Sequence, residues 1–282
     1  MWRSSPYAYA KASWIIGKSF LGKRMASLYG IHTLDELDKL LFPDNYRELP
    51  GRELLRDLEK RVAYKSERQI LSVINSFAEP PRLLTRMKAV ESPARSNEET
   101  IPANSIEYYK GLIDCLWQLD SEDRELAAKF ISDEISLLNS SWVLRLRGFY
   151  QKSETEISKY LMDSRLLGGV YQKGIAAEVK MAMDLPLDVR QEWKGWRWER
   201  FLNHEESAAH WTVDPRHFQN SASQYLYHRG FHNFHSLPMS VSAIYCFIKL
   251  KHYEEDLLIS LAEGLSLGMD SSSVFKLLEV SI

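Results

Sequence analysis

Asp133-Glu134-Ile135-Ser136-Leu137-Leu138-Asn139-Ser140-Ser141-Trp142-Val143-Leu144-Arg145-Leu146-Arg147-Gly148-Phe149 is the stretch on which the fold turns. Ile131, Ile135, Leu138, Trp142, Leu146 and Phe149 recur at intervals of three and four, the spacing that puts one face of a helix into a core. The spacing predicts a long helical segment over 133–161, with Arg145 and Arg147 flanking its apolar stripe. The pattern returns 104 residues later, where Phe247-Ile248-Lys249-Leu250-Lys251-His252-Tyr253 lines up with Val143-Leu144-Arg145-Leu146-Arg147-Gly148-Phe149. An apolar pair, a cation, a leucine, a second cation and an aromatic are preserved. A weak internal repeat of this kind predicts repeated structural units.

Working outward, helix signals dominate. Thr33-Leu34-Asp35-Glu36 is a capping box, followed by Leu37, Leu40 and Leu41 and stopped by Pro43. Ser66-Glu67-Arg68-Gln69 is read as opening a second helix with Ile70, Val73, Ile74 and Phe77 on one stripe, closed by Pro80-Pro81. Ser153-Glu154-Thr155-Glu156 opens another. Leu257, Leu258, Leu261 and Leu265 end a helix that Gly268 caps. Glu91 to Asn104 is polar and aperiodic and is read as a linker, and Gly168-Gly169, Gly174 and Pro186 as a second break. No segment alternates with period two, so the fold class is all-α. The expected domains are 1–103, 104–190 and 191–282.

The 282 residues favour two or three small domains over one large core. With 36 basic and 38 acidic residues the formal charge is -2, which offers nucleic acid no chain-wide attraction. No apolar run approaches the roughly 20 residues that cross a bilayer. Lys11, Lys18, Lys23 and Arg24 interrupt the amino-terminal apolar residues, unlike a secretory signal, so a cytoplasmic protein is expected. Cys115 and Cys246 each sit in an apolar helical pattern and read as reduced core thiols.

Motifs that would carry chemistry are weak. The phosphate-binding loop and the dinucleotide fingerprint are absent; Gly17-Lys18-Ser19 matches only the tail of the former. His228, His232 and His235 share a helical face and form a candidate metal site for a metal-dependent enzyme, but no matching carboxylate joins them and Gly230 weakens the helix. His204-Glu205-Glu206-Ser207-Ala208-Ala209-His210 fails the zinc-protease pattern because Ala208 stands where the second ligand belongs. Trp193, Trp196 or Arg197, and Arg200 or Phe201 read as a helical stripe of aromatic core or protein contact, ahead of a membrane interface or a stacking surface for single-stranded nucleic acid. No cofactor and no metal are expected.

The acidic-Ile-x-x-x-Asn helix running into Leu144-Arg145-Leu146-Arg147 and Tyr150 resembles the C subunit of the V/A-type ATPases, whose eukaryotic homologue is the d subunit. Pro6-Tyr7-Ala8-Tyr9-Ala10-Lys11-Ala12, Gly168-Gly169 and the run from Met239 to Gly268 agree with it. The resemblance implies three related helical domains around a pseudo-threefold axis, forming a funnel-shaped socket. It implies a non-catalytic coupling part of the central rotor, between a shaft of the D and F subunits and the membrane rotor ring. The A and B head would be an indirect partner, and the chain peripheral on the cytoplasmic face. Arg82 to Val90 runs into Glu91-Ser92-Pro93 without the first repeat's Asp-x-x-Asn-x-Lys helix, so that repeat is read as trimmed. Ala243 stands at the place of Asn139 in the third. Arg145, Arg147, Lys249 and Lys251 are the candidate coupling interface, as cations presented by equivalent positions of successive repeats. A helical adaptor of another assembly is the alternative.

Overall fold

The structure, a computed structural model, describes residues 6–88, 103–162, 167, 169–204 and 210–280. All regular elements among the described residues are helical. They are α1 (Pro6–Lys18), α2 (Leu34–Leu41), α3 (Gly51–Ile74), α4 (Arg82–Lys88), α5 (Ala103–Leu116), α6 (Ser121–Gly148), α7 (Glu154–Ile157), α8 (Gly169–Asp184), α9 (Pro215–Ser236), α10 (Val241–Ser266) and α11 (Ser271–Leu277). Short 3₁₀ turns cover Gly22–Leu28, Ser158–Tyr160, Arg190–Trp193 and Glu199–Phe201. The residues pack as two compact units, Arg82–Arg229 and Trp2–Pro81 with Gly230–Ile282, the bound at 229/230 falling within α9.

In the first unit α6 is the central element and packs chiefly on α8, with α5 and α7 beside it. Asp120 caps α6 through its side chain, which accepts from the Asp123 amide at 3.0 Å. The helix stops at Gly148 rather than continuing to residue 161: Phe149 caps it, Gln151 takes a positive φ of 49°, and Ser153 restarts the chain in the short α7. There Ser153 and Glu156 form a capping box; hydrogen bonds from the Ser153 amide, from Lys152 and from the Ser153 hydroxyl hold the Glu156 carboxyl down at about 2. Asn139, buried in α6, receives the Met162 amide at 2.9 Å and donates to the Met162 carbonyl at 3.0 Å. That two-pronged bond ties the chain beyond α7 back to α6.

The tryptophans follow a different geometry from the one their spacing suggested. Trp193, Trp196, Trp198 and Phe201 are buried, but Trp193 and Phe201 end short 3₁₀ turns, Trp196 and Trp198 lie in the irregular chain between them, and Gly195 stands at φ 89°, so no α-helix carries them. On a helix Trp198 would lie roughly 200° around from Trp196 and leave the core. Turns let all three indoles enter, and each buried ring carries roughly 4–6 kcal/mol of gross transfer free energy, more than helix propensity over the same residues. Their N–H groups are all satisfied: Trp193 by Pro186 O, Trp196 by Glu178 O and Trp198 by Ser136 Oγ. Gly174, read as part of a break, lies inside α8, whereas Gly168 and residues 91–102 of the expected linker fall outside the described residues.

In the second unit α10 packs on α3, with α1, α2 and α11 against it. α3 begins at Gly51, fifteen residues before the Ser66 start expected from sequence. Leu54, Leu58, Val62, Ser66, Ile70 and Val73 make one buried stripe, and Ser66 belongs to its middle. Thr33 caps α2 by accepting the Glu36 amide at 3.2 Å, while Glu36 reaches back to the His32 amide at 2.8 Å. Buried Asp38 joins α2 to α3 through Arg61 at 2.6 Å and also takes the Arg47 amide. Gly268, at φ 80°, ends α10 as its sequence position implied, with the Met269 amide bonded back to Gly264 O. Both cysteines are free thiols, Cys246 buried in α10 and Cys115 half-buried in α5 with burial raising its pKa.

α11 approaches α10 at Gly264, where an added Cβ would stand 2.3 Å from Val274 Cγ2. Gly264→Ala should therefore destabilise the chain by about 1–3 kcal/mol through overpacking. In urea unfolding, Val274→Ala should restore part of that loss in the double variant; a loss the double variant does not recover would contradict this packing.

Candidate functional site

The repeated cations sit where the two longest described α-helices bury matching triplets. Val143, Leu144 and Leu146 of α6 are at most 4% exposed, and Phe247, Ile248 and Leu250 of α10 at most 1%. The echo in sequence is thus an echo in burial, each within its own unit. The cations between these residues divide into two kinds.

The first of each pair lies half-buried over an aromatic ring of its own helix. Arg145 sits 5.8 Å from the Trp142 ring centre and Lys249 5.7 Å from that of Tyr245. Such contacts at a partly wet position are worth roughly 0.5–1 kcal/mol.

The second of each pair turns inward. Arg147 donates through Nη1 to the Ala182 carbonyl near the end of α8, at 2.5 Å, and burial lowers its pKa against the opposing pull of Asp184. Lys251 is 4% exposed; its ammonium pairs with Glu254 one turn on and lies 3.4 Å from Ser19 Oγ. Glu254 is itself buried and also receives the Phe20 amide at 2.6 Å. Lys251 is therefore an internal brace that joins α10 to the end of α1. These groups line a cavity of about 30 Å³ with Lys18, Lys65 and Gln69, room enough for water. The sequence signal for the brace is the Glu254 carboxylate three residues after Lys251; Arg147 has Tyr150 at that place.

A second ionic centre was invisible in the spacing. Asp133, 1% exposed in α6, accepts from Arg197 at 2.6 Å, from the Tyr225 hydroxyl at 2.8 Å and from Arg229. Its partners come from 64, 92 and 96 residues away, so no local pattern points to them. Burial first, then the Asp133 charge, raises the Tyr225 pKa, which keeps that phenol protonated as a donor. The centre joins α6 to the tryptophan-rich turns and to α9.

The histidines do not assemble. His228, His232 and His235 are exposed on α9, the first against the Tyr227 ring and the last against Phe231 and Phe234. Among the described residues no group of three or more His, Cys, Asp or Glu could hold a metal ion. Glu205 to Ala209 of the zinc-protease-like stretch lie outside them. No helix among the described residues is long and apolar enough to cross a membrane.

Lys251→Ala should cost about 3–5 kcal/mol, because Glu254 would stay buried without its cation. Arg145→Ala should stay within about 1 kcal/mol, the worth of a half-buried cation–aromatic contact. Chemical unfolding of the two variants reads this difference, and equal losses would contradict the division into inward and outward cations.

Residues 83–276 match the sequence model of the family described as ATP synthase (C/AC39) subunit. An uncharacterized protein of Treponema pallidum (strain Nichols) is 25% identical, over 93% of this chain and 92% of its own. No solved structure matches.

Proposed function

The chain belongs to the ATP synthase (C/AC39) subunit family, and from that premise we propose that it is the rotor coupling subunit of a V/A-type ATPase. The family is one of non-catalytic subunits of that machine. The finer assignment is that the chain joins a central shaft of the D and F subunits to the membrane rotor ring. The A and B head is coupled to it only through the shaft, and the chain lies on the cytoplasmic face. It is built as three related helical repeats, 1–103, 104–190 and 191–282, around a pseudo-threefold axis that forms a socket.

The observation that carries this reading is the family match through both copies of the repeated motif, together with their equal burial. Coupling needs no active site. It needs a part that does not yield under torque, which close-packed helices with buried ionic braces supply. It also needs a charged surface that sets the register of a partner, where electrostatics serve orientation and rate of encounter more than affinity. Of the four cations, Arg145 and Lys249 fit the surface role. Arg147 and Lys251 fit the supporting one, holding the helices that present the other two. An adaptor of another assembly would share the helices but not the family match.

Affinity purification of the tagged chain from native membranes in mild detergent, with mass spectrometry of what accompanies it, tests this. Shaft, ring and head subunits should be recovered together. Arg145→Glu with Lys249→Glu, in a protein with an unchanged unfolding midpoint, should lower recovery of the shaft subunits at least several-fold. Full recovery by that variant would remove these two residues from the interface, and no rotary subunits at all would overturn the coupling assignment.

A further inference from the structure

The first 34 residues contain Arg3, Lys11, Lys18, Lys23 and Arg24 and no Asp or Glu, which first appear at Asp35. This segment holds +5 in a chain of formal charge -2, so the remaining residues carry -7. α1 turns the bias into one face. Ala8, Ala12, Ile15 and Ile16 are buried in their unit, whereas Tyr7, Lys11, Trp14 and Lys18 recur at i, i+4, i+7 and i+11 along an adjoining strip, on which Tyr7, Trp14 and Lys18 are exposed and Lys11 is half-buried. Tyr7 is 63% and Trp14 61% exposed.

The cations and rings on that face are interleaved. Lys18 Nζ stands 4.1 Å from the Trp14 ring centre, and Lys11 Nζ 5.8 Å from that of Tyr7 while it donates to the Ser72 carbonyl at 2.7 Å. Just beyond the helix, exposed Arg24 donates to the Lys18 carbonyl at 2.6 Å and lies over Phe20. Among the described residues no carboxylate pairs with Lys18 or Arg24. Lys65 of α3 borders the same cavity as Lys18; burial lowers its pKa, and repulsion from Lys251 and Arg24 adds to that against the attraction of Glu254. Positive charge is therefore crowded at this end of α1 and only partly offset.

Trp and Tyr rings prefer the boundary between water and hydrocarbon, where the ring is apolar and its N–H or O–H stays wet. Lysine beside them extends its ammonium toward water or phosphate while its stem covers the ring. A straight row on the convex outside of a helix suits a fluid planar surface, whereas protein anchors are received in pockets. We propose that this face of α1 is a contact surface for an anionic lipid bilayer. Tyr7 and Trp14 enter the headgroup layer, and Lys18 and Arg24 lie against its negative groups. The contact is peripheral and stands independently of the coupling role.

Sedimentation of the purified full chain with vesicles tests the assignment, using phosphatidylcholine alone and phosphatidylcholine mixed with phosphatidylglycerol. Binding should require the anionic lipid and fall with added salt. At roughly fivefold per cation, K18Q with R24Q should weaken partitioning by about 25-fold. W14S should weaken it several-fold, and W117S should leave it unchanged, Trp117 being 69% exposed in the other unit. Circular dichroism establishes that each variant is folded. Equal binding to neutral vesicles, indifference to K18Q with R24Q, or an equal effect of W117S overturns the proposal. Failure to bind any vesicle overturns it as well, and binding to polyglutamate in that case would assign the face to an acidic protein segment instead.

Discussion

A charge sealed inside a helical unit must find its partners there, and this constraint organises the chain. Asp133 is buried in the middle of α6 and answered by Arg197, Tyr225 and Arg229. Lys251 is buried in α10 and answered by Glu254. Removing one member of such a set strands the others in a medium that solvates them poorly, so the segments that contribute partners are held in place. In the first unit those segments are the tryptophan-rich turns and α9; in the second, the end of α1 through Phe20 and Ser19. The apolar stripes bring the helices together, and the ionic braces determine how they meet.

Much of this was legible because it is local. The caps at Thr33, Ser153 and Gly268, the buried Leu257, Leu258, Leu261 and Leu265 of α10, and the all-helical class follow from spacing and from end-of-helix chemistry that acts within a turn; of the stripe read for α6, Ile131, Ile135 and Leu146 are buried, whereas Leu138 and Trp142 are half-buried and Phe149, just past the helix, is exposed. What the spacing could not carry is contact at long range. Ser66 looked like a helix start because Ser, Glu and Gln stand there in capping order, yet the apolar stripe of α3 runs straight through it from Leu54. The tryptophans between 193 and 198 looked helical at a spacing of three. The third indole breaks that pattern, and burying it required turns.

The cations show the same division. Arg145, Arg147, Lys249 and Lys251 are indistinguishable as flanks of an apolar stripe, because which side of the stripe packs is decided by neighbours distant in sequence. Arg147 meets the end of α8 and Lys251 meets Glu254, whereas Arg145 and Lys249 stay at the half-exposed edge over their own rings. A repeat that preserves both positions preserves two jobs, one supporting and one outward.

The proposed coupling role puts this helical protein between shaft and ring in a V/A-type ATPase. Electron cryomicroscopy of the intact complex from native membranes tests it most directly. Density for α6 and α10 is expected between the foot of the central shaft and the rotor ring, with Arg145 and Lys249 toward the shaft. Density for the chain on a peripheral stalk, or a complete rotary complex without the chain, would contradict it.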